Sequence, residues 1–151
     1  MITSLTGISN EMVRSAPRFA EIAPALGDAL RGGVFTAHNA AFDWGFVTAE
    51  MTRASGRRLA GRRLCTVRLA GKLLPQLRSR SLDSLSVYFG LDIESRHRAA
   101  DDALATATVL SRLIEMLDER GVRDWVGVQQ LLSRRQPGPK RVAMPRSMES
   151  A

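Results

Sequence analysis

The 151-residue sequence predicts an α/β fold whose helices heavily outnumber its strands. Two short runs rich in apolar, aromatic and β-branched residues, Val34–Ala37 and Arg63–Val67, flank a helix-length segment. That is the pattern of a βαβ unit with parallel strands. Nearly every other patterned stretch repeats its apolar residues at spacings of three and four, the helical period. The length suits one domain with a sizeable core.

The elements follow in order. Ser9 or Asn10 caps a short first helix, and Pro17 opens the next. Over residues 17–31 Phe19, Ile22, Leu26 and Leu30 recur at helical spacing until Gly32 and Gly33 stop the run. After the strand at Val34–Ala37, residues 41–54 form a helix ending near Ala54-Ser55-Gly56. The second strand, Arg63–Val67, leads into an apolar helical turn that reaches Pro75. Residues 81–90, SLDSLSVYFG, make a helix capped by Ser81 and closed by Gly90, with Leu82, Leu85 and Phe89 inward. The longest helix runs from Ala100 to Arg120, and VRDWVGVQQLLSRR (122–135) forms one more amphipathic helix. From Gln136 the chain has Pro137, Pro139 and Pro145, net positive charge and no periodicity. The expected organisation is therefore a main domain over 1–120, an amphipathic C-terminal helix over 121–135 and a disordered basic tail over 136–151.

Composition narrows the function. No run of about 18 apolar residues suggests a membrane span. The N-terminus lacks the basic-then-apolar order of a secretory signal. A single cysteine, Cys65, excludes an internal disulfide and a cysteine-rich metal site. A cytoplasmic protein is expected. The formal charge is +7, and of the twenty-two basic residues only Lys72 and Lys140 are lysines. Between Arg53 and Arg80 lie nine basic residues, Arg57, Arg58, Arg62 and Arg63 among them, with no acidic one. A one-signed field of that size attracts phosphodiester backbones, although a solvated surface produces the same run of charge.

Two carboxylates stand out. In FTAHNAAFDWGFV (35–47), Phe35, Phe42, Phe46 and Val47 predict an interior position, yet Asp43 sits between Phe42 and Trp44. In RHRAADDALATATVL (96–110), helical steps from Asp102 reach Thr106, Val109, Leu113 and Leu117, an apolar stripe. Steps from Asp101 reach Ala105, Thr108, Arg112 and Glu115, a wet face. Asp102 is expected to point inward and Asp101 outward. An ionised carboxylate buried without a partner costs several kcal/mol, so such a group is paired, protonated or metal-bound. Both aspartates begin helices, where the positive dipole end alone stabilises them. Together with His97 just ahead of the second helix, they also suit an oxygen-ligand site for Mg2+ or Mn2+ beside a proton acceptor. His38, at a strand end, fits a hydrogen-bonded structural role or a substrate contact.

The two motifs have a family likeness. AHNAAFD resembles the second exonuclease motif of the proofreading-exonuclease superfamily, and HRAADDA resembles its third. This is the DEDDh or DnaQ-like group, which includes the epsilon subunit of bacterial DNA polymerase III. LTGISNEMV and LCTVRLAGKLLP…SLDSLSVYFGL are similar to family segments in the family order, so the likeness spans about Ile2 to Leu117. The resemblance implies a ribonuclease H-like α/β fold and a Mg2+- or Mn2+-dependent 3′–5′ exonuclease. Its substrate would be the single-stranded 3′ end of a nucleic acid, DNA favoured, with a DNA polymerase subunit as a partner. By motif position His97 would be the general base, Asp102 would hold the nucleophile-side metal and Asp43 would complete the cluster. Asn39 and His38 would lie near substrate, and Arg57, Arg58, Arg62 and Arg63 are further candidates for contacts to it.

The family also has a first motif, aspartate-x-glutamate on an opening strand, with no match here. Asp92-Ile93-Glu94 has the spacing but follows the helix stop at Gly90, in a loop leading to His97. The expectation is thus a ribonuclease H-like fold lacking its first strands, with a helix-rich remainder, weak or absent metal binding and an exposed edge on the 34–37 strand. The alternative is a non-catalytic remnant that binds nucleic acid or a polymerase through the basic stretch and the helix at 122–134.

Overall fold

Side-chain caps open several helices in the computed structural model, which describes residues 7–91 and 99–134. Ser9 Oγ accepts a hydrogen bond from the Met12 amide (3.3 Å) and starts α1, Asn10–Arg14. Helix α2, Phe19–Leu30, begins two residues after Pro17, and the Glu21 carboxylate accepts from the Arg18 amide at 2.7 Å. Gly32, at φ 73°, turns the chain toward β1, Val34–Ala37. Helix α3, Ala40–Ser55, ends at Gly56, whose φ of 67° only glycine adopts without strain. Then come β2, Arg62–Cys65, and α4, Thr66–Leu73. Ser81 Oγ accepts from the Ser84 amide (3.2 Å) to open α5, Leu82–Tyr88. The long α6 is Ala99–Glu119, and α7, Trp125–Ser133, starts where Asp124 takes the Gly127 amide at 2.7 Å.

Among the described residues the sheet has two parallel strands, with Val34 opposite Arg62 and Ala37 opposite Cys65. The βαβ unit β1–α3–β2 is as expected, but the second strand ends early. Thr66 and Val67 enter α4 instead, and the Thr66 side chain is fully buried. None of the described helices is long and apolar enough to cross a membrane.

The core lies in the C-terminal half. Leu64 of β2, Leu69, Ala70 and Leu73 of α4, Leu74, Leu85 of α5, Val109, Leu113 and Leu117 of α6, and Val128 of α7 form one cluster. Each fully buried leucine contributes about 1.5–3 kcal/mol relative to exposure, so α4–α7 provide most of the apolar stabilisation. Helix α7, within the expected amphipathic segment 121–135, packs into that same core through Val128.

The N-terminal half departs from the expectation of a buried interior. Phe42 is 63% exposed and Phe46 61%, and Ile22 also faces solvent. Phe42 and Phe46, four residues apart, share one outward face of α3 and stack edge-on at 4.9 Å. The inward face belongs to Ala40, which is buried, and to Trp44, which packs on Phe35 with centroids 5.2 Å apart. The stripe on α6 is also wider than the spacing predicts. Ala105, expected on the wet face, is buried, because a methyl side chain admits close packing of the neighbouring helices.

Candidate active site

The turn from β1 into α3 builds one wall of the site. Asn39 takes a left-handed conformation (φ 72°, ψ 45°), which asparagine tolerates better than most residues. The chain therefore reverses at once, and Asp43 falls in the first turn of α3. Asp102 occupies the first turn of α6. The two half-buried carboxylates, remote in sequence, line a single cavity of about 560 Å³. Thr36, Ala37 and His38 close one side, Leu82 and Asp83 of α5 another, and Ala99, Ala103, Thr106, Ala107 and Leu110 of α6 the rest. Each of Asp43 and Asp102 sits at the positive end of a helix dipole, a favourable place for an anion.

His38 is held in the cavity wall. Its Nδ1 lies 2.9 Å from Thr66 Oγ1, and a second hydrogen bond joins the side chain to the backbone of Arg80. Burial pushes the imidazolium pKa below its ordinary 6.5, and the Arg80 bond opposes that only in part. Burial thus favours the neutral ring, which shares a hydrogen bond with the Thr66 hydroxyl. The structure thus gives His38 a structural anchorage as well as a place beside the two aspartates.

Other candidates fall elsewhere. Asn39 is exposed at the strand–helix junction and does not line the cavity. Arg57, Arg58, Arg62 and Arg63 are absent from its walls as well. The reason is topological: His38 follows the C-terminal end of β1, whereas Arg62 and Arg63 begin β2 beside Val34 and Phe35. Arg57 and Arg58 come after the far end of α3, about 18 Å of helix beyond Asp43. His97 and the Asp92-Ile93-Glu94 loop lie outside the described residues. The cavity also contains Asp83, Thr36 and Thr106, which the sequence does not single out as a site. The available signal for Asp83 is its place in the first turn of a capped helix, like the other two aspartates.

The donor set bears on a metal. Among the described residues no group of three His, Cys, Asp or Glu side chains comes together as ligands. Asp43 and Asp102 line one cavity, and carboxylates are the ligand type that Mg2+ takes, commonly one or two of them beside water and phosphate oxygens.

Comparison with known proteins agrees with this geometry. A family model described as "Exonuclease" (RNase T) matches residues 1–110. A PolC-type DNA polymerase III from Caldanaerobacter subterraneus subsp. tengcongensis is 33% identical over 141 residues, covering 93% of this chain and 10% of that protein. The Thermotoga maritima PolC-type polymerase is 36% identical over 120 residues, 80% of this chain and 9% of the relative. The DNA polymerase III subunit epsilon of Aquifex aeolicus is 29% identical over 131 residues, 86% of this chain and 65% of the relative. The chain therefore spans about a tenth of the PolC-type proteins and under two thirds of that epsilon subunit. With the family match covering both aspartates and most of the sequence, the chain belongs to the exonuclease family, of the DnaQ-like, DEDDh kind.

Proposed function

We propose that this chain provides the site of a metal-dependent 3′–5′ exonuclease that releases nucleotides from the single-stranded 3′ end of a nucleic acid, with DNA as the favoured substrate. The observation that supports it most is the convergence of Asp43 and Asp102, from the first turns of two helices, on one cavity. Proteins of this family generally use divalent metals. Mg2+ or Mn2+ held by Asp43 and Asp102 would lower the pKa of a bound water and neutralise charge on the scissile phosphate.

The chain's own groups have separate tasks in this reading. His97, five residues before Asp102, accepts the proton of the attacking water. The water oxygen adds to phosphorus, the P–O3′ bond breaks, and the leaving O3′ takes up a proton from solvent. The shortened strand keeps a 3′-hydroxyl, and the released nucleotide carries a 5′-phosphate. Neutral His38, anchored by Thr66, keeps the end of β1 in place and presents no competing cation. Among the described residues no third side chain groups with these two carboxylates as a ligand, which implies weak metal binding, so turnover by the chain alone is expected to need high metal concentration. A DNA polymerase subunit as partner and a cytoplasmic place of action complete the proposal, supported by the names of the relatives.

The test is a time course on single-stranded oligonucleotides labelled at the 5′ or the 3′ end, with excess Mn2+. A ladder from 5′-labelled substrate and immediate mononucleotide from 3′-labelled substrate fit the proposal; internal cuts or degradation from the 5′ end refute it. Asp102→Asn should lower the rate by about 10²–10⁴-fold, the usual scale for an essential group, while Asp101→Asn leaves most activity. A second reading, a non-catalytic chain that binds nucleic acid or a polymerase, is favoured by the separation of the arginine run from the cavity. Retained oligonucleotide binding with no metal-dependent cleavage would select it.

A further inference from the structure

On a different flank of α3 lies a second groove, of about 520 Å³, lined by Trp44, Gly45, Thr48, Ala49 and Thr52 together with Arg58 and Arg63. It shares no lining residue with the aspartate cavity. We propose that this groove binds the phosphodiester backbone of single-stranded nucleic acid at a point separate from the aspartate cavity, with Arg58 and Arg63 each gripping a phosphate. The proposal rests on the reading of the chain as a nucleic-acid enzyme and adds where the strand is anchored away from the reacting end.

Charge is the first argument. Nearby cations are already used: Arg53 pairs with Glu50, and Arg31 with Asp28 at 2.6 Å. Arg58 and Arg63 have no carboxylate partner among the described residues, and Arg57 and Arg62 extend the same field. An uncompensated arginine pair favours a phosphate chain, since the planar guanidinium forks match phosphate oxygens and binding releases condensed counterions.

Preorganisation is the second. The Arg63 guanidinium lies 5.4 Å from the centroid of the Trp44 ring, which holds it in place without neutralising it. Trp44 is itself fixed, by Phe35 on one side and by close contact at Gly61, where an added Cβ would lie 3.3 Å from the indole. Shape is the third. From Trp44 to Thr52 the helix rises about 12 Å, which allows adjacent phosphates of an extended strand to lie along the flank.

The experiment is fluorescence anisotropy of the full 151-residue chain with a labelled oligothymidylate of about 12 nucleotides, in chelator so that nothing is cleaved, across a salt series. Arg58→Gln/Arg63→Gln should weaken binding and reduce the slope of log K against log salt by about 1.4, two contacts at roughly 0.7 each. Arg58→Lys/Arg63→Lys keeps the charges and should keep most of the slope. Arg112→Gln/Arg123→Gln removes two cations already paired with Glu115 and Asp118 and should leave the slope unchanged. An unchanged slope in the Arg58/Arg63 glutamine pair overturns the proposal, as does an equal loss in the Arg112/Arg123 pair. So does displacement of the oligonucleotide by polyglutamate of matched charge as readily as by unlabelled oligonucleotide. Circular dichroism confirms the fold of each variant, and because no turnover is read, failure here is distinct from failure of the exonuclease reading.

Discussion

Thr66→Val removes the hydroxyl that meets His38 Nδ1 at 2.9 Å while nearly preserving shape in a fully buried position. No cavity of consequence forms, so the cost comes from the hydrogen bond and from the half-buried ring nitrogen left without its partner, about 1–3 kcal/mol. For about 120 described residues, an unfolding entropy near 2.1 cal/mol/K per residue makes each kcal/mol worth about 4 °C. Thermal unfolding followed by circular dichroism at about pH 8 should therefore show Tm lower by about 4–12 °C. The pH dependence has a definite sign. Burial lowers the folded pKa of His38 below 6.5, so the unfolded chain takes up the proton first as pH falls. The contribution is complete above pH 6.5 and is lost as pH drops through that value toward the folded pKa. His38→Gln should make the decline in Tm from about pH 8 to about pH 5 shallower than in the wild type. A double-mutant cycle of the two positions should show coupling of about 1 kcal/mol. Additive effects, or an unchanged Tm in Thr66→Val, would refute the anchoring role given to this pair.

Other outcomes follow from the same packing. Thr48 Oγ1 is shut off from solvent without a hydrogen-bond partner, so Thr48→Val should leave Tm unchanged or raise it by a few degrees, as scanning calorimetry will read. Leu113→Ala, at a wholly buried position between α4 and α6, should cost about 2–5 kcal/mol in urea unfolding. Phe42→Ser/Phe46→Ser removes only an exposed ring pair and should cost about 0.5–1.5 kcal/mol in the same assay.

The sequence is most informative where structure is local. Ser9, Ser81 and the glycines at 32, 56 and 90 mark helix ends that the structure places within a residue or two, and the strand at Val34–Ala37 has its expected bounds. It misleads where a distant partner decides. Thr66 and Val67 have strand propensity, but burial of Thr66 against His38 takes them into the first turn of α4. Phe42 and Phe46 are apolar, yet helix rotation assigns the inward side of α3 to Ala40 and Trp44.

For the site, the two carboxylates that stand out in the sequence, Asp43 and Asp102, both line one cavity. The charge run from Arg53 to Arg80 is equally visible, but its location is not. A parallel strand pair puts Arg62 and Arg63 at the opposite end of the sheet from His38, and no one-dimensional pattern shows that. Asp83 escapes notice for a similar reason, since only the packing of α5 beside α6 carries it to the cavity.

In the proposed function Asp43 and Asp102 act together as the metal-holding pair. Mn2+ binding followed by water-proton relaxation, in the presence of a nucleoside 5′-monophosphate, tests it without any need for turnover. Weak binding by the wild-type chain that disappears in Asp43→Asn and in Asp102→Asn, and persists in Asp101→Asn, is the predicted result. Binding that survives loss of both cavity aspartates, or that depends equally on Asp101, would contradict it.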